Sequence, residues 1–248
     1  LAGTGGLTNA SGLTTLTGTN TYSGGTVVNG GSLYVSGNGT LGSASGTTTI
    51  NDSTLDLGTT TQTQALVSLS NGIATNGTFN NTAILANGGS NTTAAALIAT
   101  SSVTKAAGTN ILTSPGNSYT GGNTITGGTL QVATTSSLGA TTNNLSISGN
   151  GTLDLQTGTQ TQGNVTVTNG NIINGTLTNS GITFTGGSNN ITAALAGAGG
   201  LTNASGLTTL TGTNTYIGGT VVSGGSLYVS CNGTLGSTSG TTTINDST

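Results

Sequence analysis

Charge is the property that this sequence most lacks. Charged residues make up 2% of the 248 residues, against roughly 25% in ordinary soluble domains. The acidic residues are Asp52, Asp56, Asp154 and Asp246, and Lys105 is the only basic one, so the net charge is −3. Binding to nucleic acids or to anionic membranes needs several lysines or arginines. Both classes of partner are therefore excluded.

Histidine, glutamate, arginine, tryptophan and methionine are all absent. General acid–base catalysis needs titratable groups close together. Asp56 and Asp154 occupy equivalent positions in an internal repeat described below, so we expect about 20 Å between them. Asp52 lies nearer to Asp56 along the chain, but no histidine, arginine or glutamate supports the pair. We therefore predict no enzymatic activity, no catalytic residue and no cofactor.

Metal sites and disulfides find little support either. Calcium usually requires several carboxylates, and the segment Asn51-Asp52-Ser53 favours an Asx-type turn over a weak calcium site. We predict no metal site. Cys231 is the only cysteine and its repeat counterpart is Gly37, so the fold does not need it. The alternative role for Cys231 is an intermolecular disulfide.

No apolar run approaches the roughly 18 residues of a membrane-spanning helix. Leu1 does not open a signal peptide, and we predict no membrane insertion in this segment. Pro115 is the only proline, which excludes collagen and polyproline structures. Disordered chains combine low hydrophobicity with high charge, whereas 31% of this chain is hydrophobic.

Glycine is abundant, with 46 residues, and it separates short runs rich in threonine, valine, isoleucine and tyrosine. Such runs suit strands, and Asn-Gly and Gly-Gly pairs suit tight turns. In Leu55-Asp56-Leu57 the alternation predicts inward leucines and an outward aspartate. The segment 94–102 could pass for a helix, but we predict a strand and a turn there.

The chain repeats itself. Residues 195–248 reproduce residues 1–54, and only five of the 54 positions differ. The differing pairs are Thr4/Ala198, Ser23/Ile217, Asn29/Ser223, Gly37/Cys231 and Ala44/Thr238. Residues 1–194 therefore form one repeat unit and residues 195–248 the start of the next, as in a window on a longer tandem array. The changes at positions 23/217 and 37/231 are chemically large, so we expect them to face outward or to lie in turns.

A weaker half-repeat of 97–98 residues lies within the unit, since Tyr22-Ser23-Gly24-Gly25 recurs as Tyr119-Thr120-Gly121-Gly122. Tandem short strands with Gly/Asn turns indicate an all-β solenoid, continuous over residues 1–248. We expect coils of roughly 20–25 residues, stacked at about 4.8 Å. Asparagine or threonine ladders would line the turns. The tyrosines recur at equivalent positions, which favours packing roles over a sugar-binding platform.

One motif is specific. The segment Leu13-Thr14-Thr15-Leu16 through Asn20-Thr21-Tyr22-Ser23-Gly24-Gly25-Thr26-Val27-Val28 to Gly30-Gly31-Ser32-Leu33-Tyr34-Val35 resembles the autotransporter-associated β-strand repeat. The stretches 201–229 and, with more divergence, 103–132 resemble it too. The lysine that the family places after Leu-Thr is Asn9 or Asn203 in the outer copies and Lys105 in the central one. The resemblance implies a right-handed parallel β-helix in a secreted or surface-displayed bacterial passenger.

These observations predict a structural segment of an extracellular or cell-surface fibre or adhesin stalk, a rigid rod of stacked coils. We expect self-association, either end to end or side by side, because little charge opposes it. A second hypothesis is an adhesin passenger that binds a cell-surface or glycan partner. A third is an ice-binding solenoid, for which a thermal-hysteresis assay is the test. The threonine runs 47–49, 59–61 and 165–168 differ in phase, so no regular Thr-x-Thr per coil is evident.

Overall fold

The computed structural model describes residues 1–245. Within that range every regular element is a β-strand, and the paired strands run parallel. The backbone divides into two compact units. Unit 1 comprises Leu1–Gly122 with Thr135–Gly139, and unit 2 comprises Asn123–Thr134 with the chain from Ala140 onward. The all-β parallel solenoid predicted from the sequence is thus confirmed. The right-handed sense of the coil and its continuity over residues 1–248 stay predictions.

Unit 1 arranges its strands in three columns. Column A contains β1 (Leu7–Asn9), β3 (Thr26–Val28), β5 (Thr47–Asn51), β8 (Leu66–Ser70), β11 (Ala83–Gly88) and β14 (Ser102–Lys105). Column B contains β2 (Leu13–Leu16), β4 (Ser32–Val35), β6 (Thr54–Asp56), β9 (Ile73–Thr75), β12 (Ser90–Thr93) and β15 (Thr109–Leu112). Column C contains β7 (Thr61–Gln62), β10 (Thr78–Asn80) and β13 (Ala96–Ile98). Six coils are thus stacked in column A of unit 1.

Unit 2 has the same three columns, but some of its strands run on through two or three of them. The short strands are β16 (Asn123–Ile125), β17 (Thr129–Val132), β18 (Leu145–Ser148), β19 (Thr152–Asp154), β21 (Asn171–Ile173), β23 (Ala194–Ala196), β25 (Thr220–Val222), β26 (Ser226–Val229) and β27 (Thr242–Ile244). The long strands are β20 (Thr159–Thr168), β22 (Thr176–Ile191) and β24 (Leu201–Leu210). Seven coils are stacked in column A among the described residues of this unit.

Coil length varies more than the sequence suggests, and it is shorter than expected. The strand register shifts by 17 residues between Val67 and Ile84 and by 22 between Thr26 and Thr48. Coils therefore contain 17 to 22 residues, because insertions are absorbed in the corners without disturbing the ladder of backbone hydrogen bonds. A residue's position along the chain is thus a poor guide to which residue lies above it.

The core is a thin column of aliphatic side chains. Leu55 and Leu57 point inward and are fully buried, while the Asp56 side chain is half-buried between them on the outer side, as alternation predicts. Burying such a leucine contributes roughly 1.5–3 kcal/mol. The segment 94–102 forms β13 and a turn, confirming the strand-and-turn prediction.

The corner between columns A and B is built on left-handed residues. In unit 1 these include Asp52 with φ 47° and Asn71 with φ 54°, and in unit 2 Asn150 with φ 63° and Asn169 with φ 59°. Asparagine and aspartate tolerate this conformation better than other side chains. Asn169 Nδ2 donates to Asn150 Oδ1 over 2.9 Å, so the predicted asparagine ladder is confirmed at this corner.

Candidate functional site

The aspartates act as rungs between coils and do not converge on a cleft. Asn71 Nδ2 of the next coil donates to Asp52 Oδ1 over 2.7 Å. Asp56 Oδ1 accepts from Asn76 Nδ2 and from the backbone nitrogen of Gly58, both at 2.8 Å. These bonds explain why a carboxylate stands at each position: it tethers a turn in its own coil and the amide of the coil above.

Asp154 is the unit 2 counterpart of Asp56 and has more partners. Its Oδ1 accepts from Asn174 Nδ2 at 2.8 Å and from the Gln156 nitrogen at 2.9 Å, and its Oδ2 accepts from Gln131 Nε2 at 3.0 Å. Burial acts to raise the pKa of Asp154, but these hydrogen bonds outweigh it and hold the pKa below its ordinary value. Asp154 is therefore a structural carboxylate, charged at neutral pH. Asp246 lies outside the described residues.

Lys105 is the most unusual side chain in the molecule, since it is fully buried in the inward row of column A. It pairs in register with Ala86, whose small side chain leaves room for it, and its Nζ donates to the carbonyl oxygens of Ala86, at 3.2 Å, and Ala107. Burial lowers the pKa of Lys105 to about 8. The equivalent Asn9 donates to Gly30 O over 2.8 Å, so amine and amide both supply a backbone carbonyl with a donor.

No metal-binding cluster of three or more histidine, cysteine, aspartate or glutamate side chains occurs in residues 1–245. Ser53 points inward and donates to Val28 O over 2.7 Å, which matches the Asx-type turn expected for Asn51-Asp52-Ser53. Cys231 is an exposed free thiol in a left-handed conformation with φ 55°. Ile217 is 57% exposed, so the two chemically large repeat differences do lie outward or in a turn.

The conserved-looking tyrosine of the repeat motif fills the core where column C has no strand. Tyr22, Tyr119 and Tyr216 are each buried. Tyr22 Oη hydrogen-bonds Thr26 Oγ1 at 2.6 Å, and Tyr216 Oη does the same with Thr220 Oγ1 at 2.7 Å. Burial raises the pKa of Tyr22 and Tyr216, although the threonine contacts act in the opposite direction. The packing role expected of these tyrosines is confirmed, whereas Tyr34 and Tyr228 are 37% and 60% exposed.

The asparagine two residues before each tyrosine joins three coils. In unit 2, Asn214 Oδ1 accepts from the Leu195 nitrogen of the preceding coil at 2.8 Å, and its Nδ2 donates to Thr234 O of the following coil at 2.7 Å. In unit 1, Asn117 accepts from the Leu97 nitrogen at 3.0 Å and donates to Ser137 O at 3.1 Å. Sequence reasoning missed this role, although the recurrence of Asn-x-Tyr was its signal.

The Gly-Gly pair after the tyrosine lets successive coils approach closely. A Cβ on Gly24 would lie 2.6 Å from the Gly6 nitrogen, and one on Gly218 would lie 2.4 Å from the Gly200 nitrogen. Real side chains do not tolerate such distances, so glycine is required for contact between the backbones. The following Gly25 and Gly219 have φ of 81° and 80°. Tyrosine, asparagine and glycine thus form one stacking device, which we call the coil joint.

A shallow groove lies on the outside of unit 1, beside the corner between columns A and B. Asp52, Asn71, Ser90 and Ile73 contribute to it, and Ile73 is 41% exposed. The full lining is Gly31, Asp52, Ser53, Thr54, Asn71, Ile73, Ser90 and Thr92. Its one carboxylate and one exposed aliphatic side chain suit a polar, uncharged ligand better than an anion. None of the described residues form a helix long and apolar enough to cross a membrane.

The coil joints coincide with the segments that match a known family. The model of the passenger-associated-transport-repeat matches residues 11–35, 107–132 and 205–229. Comparisons with curated proteins and with solved structures found no match. The repeats and the β-solenoid fold fit an autotransporter passenger repeat region. The resemblance inferred from the sequence is therefore confirmed, and the chain contains three segments of the passenger-associated-transport-repeat type.

Proposed function

We propose that this chain is a structural segment of an extracellular or cell-surface bacterial fibre, whose task is to extend by stacking coils. One observation carries the proposal: each coil joint bonds to the coil before it and to the coil after it. Asn214 does so through both ends of one amide group. A module built this way adds length without needing a specialised end, and its function is mechanical.

The proposal predicts that contour length follows repeat number. We would express the chain once and as two and three head-to-tail 194-residue units, and measure particle length by electron microscopy or atomic force microscopy. Length should rise in proportion to the number of coils, at about 4.8 Å per coil. A chain in which Asn20, Asn117 and Asn214 are all replaced by alanine is the matched variant, and it should give shorter or collapsed particles. Compact particles at every repeat number would overturn the proposal.

Self-association belongs to the same proposal. The near absence of charge leaves little repulsion between copies. Sedimentation velocity over a range of protein concentrations should show growing assemblies that are insensitive to salt, since screening has little to act upon. Particles that stay monomeric at every concentration would limit the fibre to one continuous polypeptide.

A second candidate function is adhesion to a glycan surface, which the groove beside Asp52 favours. The repeat-equivalent positions in unit 2 carry Asn150 for Asp52 and Asn171 for Ile73, so the chain itself offers a matched design. Wild type and the double variant Asp52→Asn/Ile73→Asn would be compared on a glycan array. Binding by wild type that the double variant loses would support adhesion through this groove. Equal signals, or none, would remove it.

A further inference from the structure

Column A of unit 2 displays an ordered array of hydroxyl groups on its outer side. Four successive coils carry the pattern hydroxyl–apolar–hydroxyl at this column. The segments are Thr124-Ile125-Thr126, Ser146-Ile147-Ser148, Thr166-Val167-Thr168 and Thr183-Phe184-Thr185. The middle residue of each is buried, and the flanking hydroxyl residues are half-buried or exposed. Alternation along a strand therefore fixes both flanking side chains on the outer surface.

The strand register aligns these groups into two rows. In the first row Thr124 pairs with Ser146, Ser146 with Thr166, and Thr166 with Thr183. The row extends to Thr202, which pairs with Thr183. In the second row Ser148 pairs with Thr168, and the hydroxyls of Thr168 and Thr185 are hydrogen-bonded to each other.

The sequence concealed this regularity, and the expectation that no Thr-x-Thr recurs once per coil is wrong for unit 2. The steps from Ser146 to Thr166 and from Thr166 to Thr183 are 20 and 17 residues. Because coil length varies, a search at a fixed period does not align them. Only the hydrogen-bonded register shows that the hydroxyls lie above one another.

The array has the physical properties of a surface that orders water. Successive hydroxyls are about 4.8 Å apart between coils and about 6.6 Å apart along a strand. Both spacings are close to repeats of oxygen atoms in ice. The buried Ile125, Ile147, Val167 and Phe184 hold the backbone in place from within. The four segments carry no charged side chain that would bind water in another arrangement. Threonine methyl groups between the hydroxyls leave the remaining water free to bond to itself.

Unit 1 provides the contrast within the same chain. Its outer row at column A runs Val27, Thr49, Ser68 and Leu85, so aliphatic side chains interrupt it at two coils. Beside this row, Asn51 Nδ2 donates to Asn29 Oδ1, where unit 2 has hydroxyls. Fold and column are the same in both units, and only the pattern of outward residues differs.

We propose that the hydroxyl array of unit 2 is an ice-binding face. The ligand is the ice lattice itself, recognised by a rigid two-row grid of hydroxyl and methyl groups. The proposal is independent of the fibre function, because it rests on the outward side chains and not on the coil joints.

The test compares substitutions on the two units. Thr166→Lys places a long charged side chain in the centre of the array. Ser68→Lys places the same side chain at the centre of the same column in unit 1, where it pairs with Thr49 and Leu85. Circular dichroism and the urea midpoint would verify that both variants are folded. Thermal hysteresis, inhibition of ice recrystallisation and incorporation of fluorescently labelled protein into a growing ice hemisphere would be measured for all three proteins.

Wild type and Ser68→Lys should show thermal hysteresis and enter the ice, and Thr166→Lys should lose most of both activities. Absence of hysteresis and of incorporation in folded wild type would overturn the proposal. Equal losses in the two lysine variants would overturn it as well, because the effect would then not depend on the array. Retention of wild type on an insoluble polysaccharide, without ice activity, would reassign the face to glycan binding.

Discussion

The first and last copies of the repeat have nearly the same sequence but different burial. Leu33 and Ile50 are fully buried, whereas their counterparts Leu227 and Ile244 are half-buried and 68% exposed. Ile50 is flanked by Val28 in one coil and Leu69 in the other, and Ile244 has only Val222 beside it among the described residues. Burial at a given repeat position is therefore supplied by neighbouring coils and not by the coil's own residues. Stability in such a stack is a sum of nearest-neighbour terms.

The largest effect is expected where that comparison is broken directly. Ile50→Ala should lower the free energy of unfolding by about 2–5 kcal/mol, because it removes a side chain packed on both sides and leaves a cavity. Ile244→Ala makes the same chemical change at the equivalent position and should cost less than about 1 kcal/mol, since that side chain is mostly in water. Urea unfolding of both variants gives the two values. Similar losses at the two sites would contradict the nearest-neighbour account.

The central copy differs from the outer copies in its buried amine, and this difference should appear as pH dependence. The pKa of Lys105 is about 8 in the folded protein, below the ordinary value of 10.5, so the unfolded chain binds more protons between these values. Stability should therefore rise with pH above 8, by about 1.4 kcal/mol per pH unit, to a total of about 3 kcal/mol by pH 10.

The matched variant for this prediction is Lys105→Asn, which installs the residue of the outer copies at Asn9 and Asn203. Its urea midpoint should be higher than that of wild type at pH 7 and nearly flat between pH 8 and 10. Measurements should stop at pH 10, because tyrosine ionisation follows. A wild-type midpoint that does not move over this range would show that the lysine gains enough from its carbonyl partners to stay charged at no cost.

How much of this was readable from the sequence depends on the scale of the feature. Alternation in Leu55-Asp56-Leu57 was sufficient to orient those side chains, and glycine-punctuated strands were sufficient for the solenoid. Register was not readable, because the corners contain different numbers of residues and shift each coil by 17 to 22 positions. The hydroxyl rows of unit 2 and the groove beside Asp52 both depend on register, so the sequence could not reveal them.

The coil joints predict a smaller but well-defined loss. Asn214→Ala leaves the Leu195 nitrogen and the Thr234 oxygen without this side chain's hydrogen bonds in a buried setting, and should cost about 2 kcal/mol. Asn232→Ala, on an exposed side chain two coil positions away, is the control and should change stability by less than about 0.5 kcal/mol. Hydrogen exchange should speed up at Leu195 in the first variant only. Unchanged exchange there would argue against the joint as a link between coils.

The smallest effect separates the first and last copies at one backbone position. Gly37 and Cys231 share a left-handed conformation, with φ of 59° and 55°, and a Cβ on Gly37 would meet nothing closer than Thr17 O at 3.9 Å. Steric crowding is therefore absent, and only backbone strain distinguishes glycine from cysteine there. Cys231→Gly should stabilise unit 2 by about 1 kcal/mol, and Gly37→Cys should destabilise unit 1 by a similar amount. Opposite signs in the urea midpoints, measured with a reducing agent present, are the expected result. The same sign for both changes would mean that the thiol at Cys231 contributes a contact that compensates for its strained backbone.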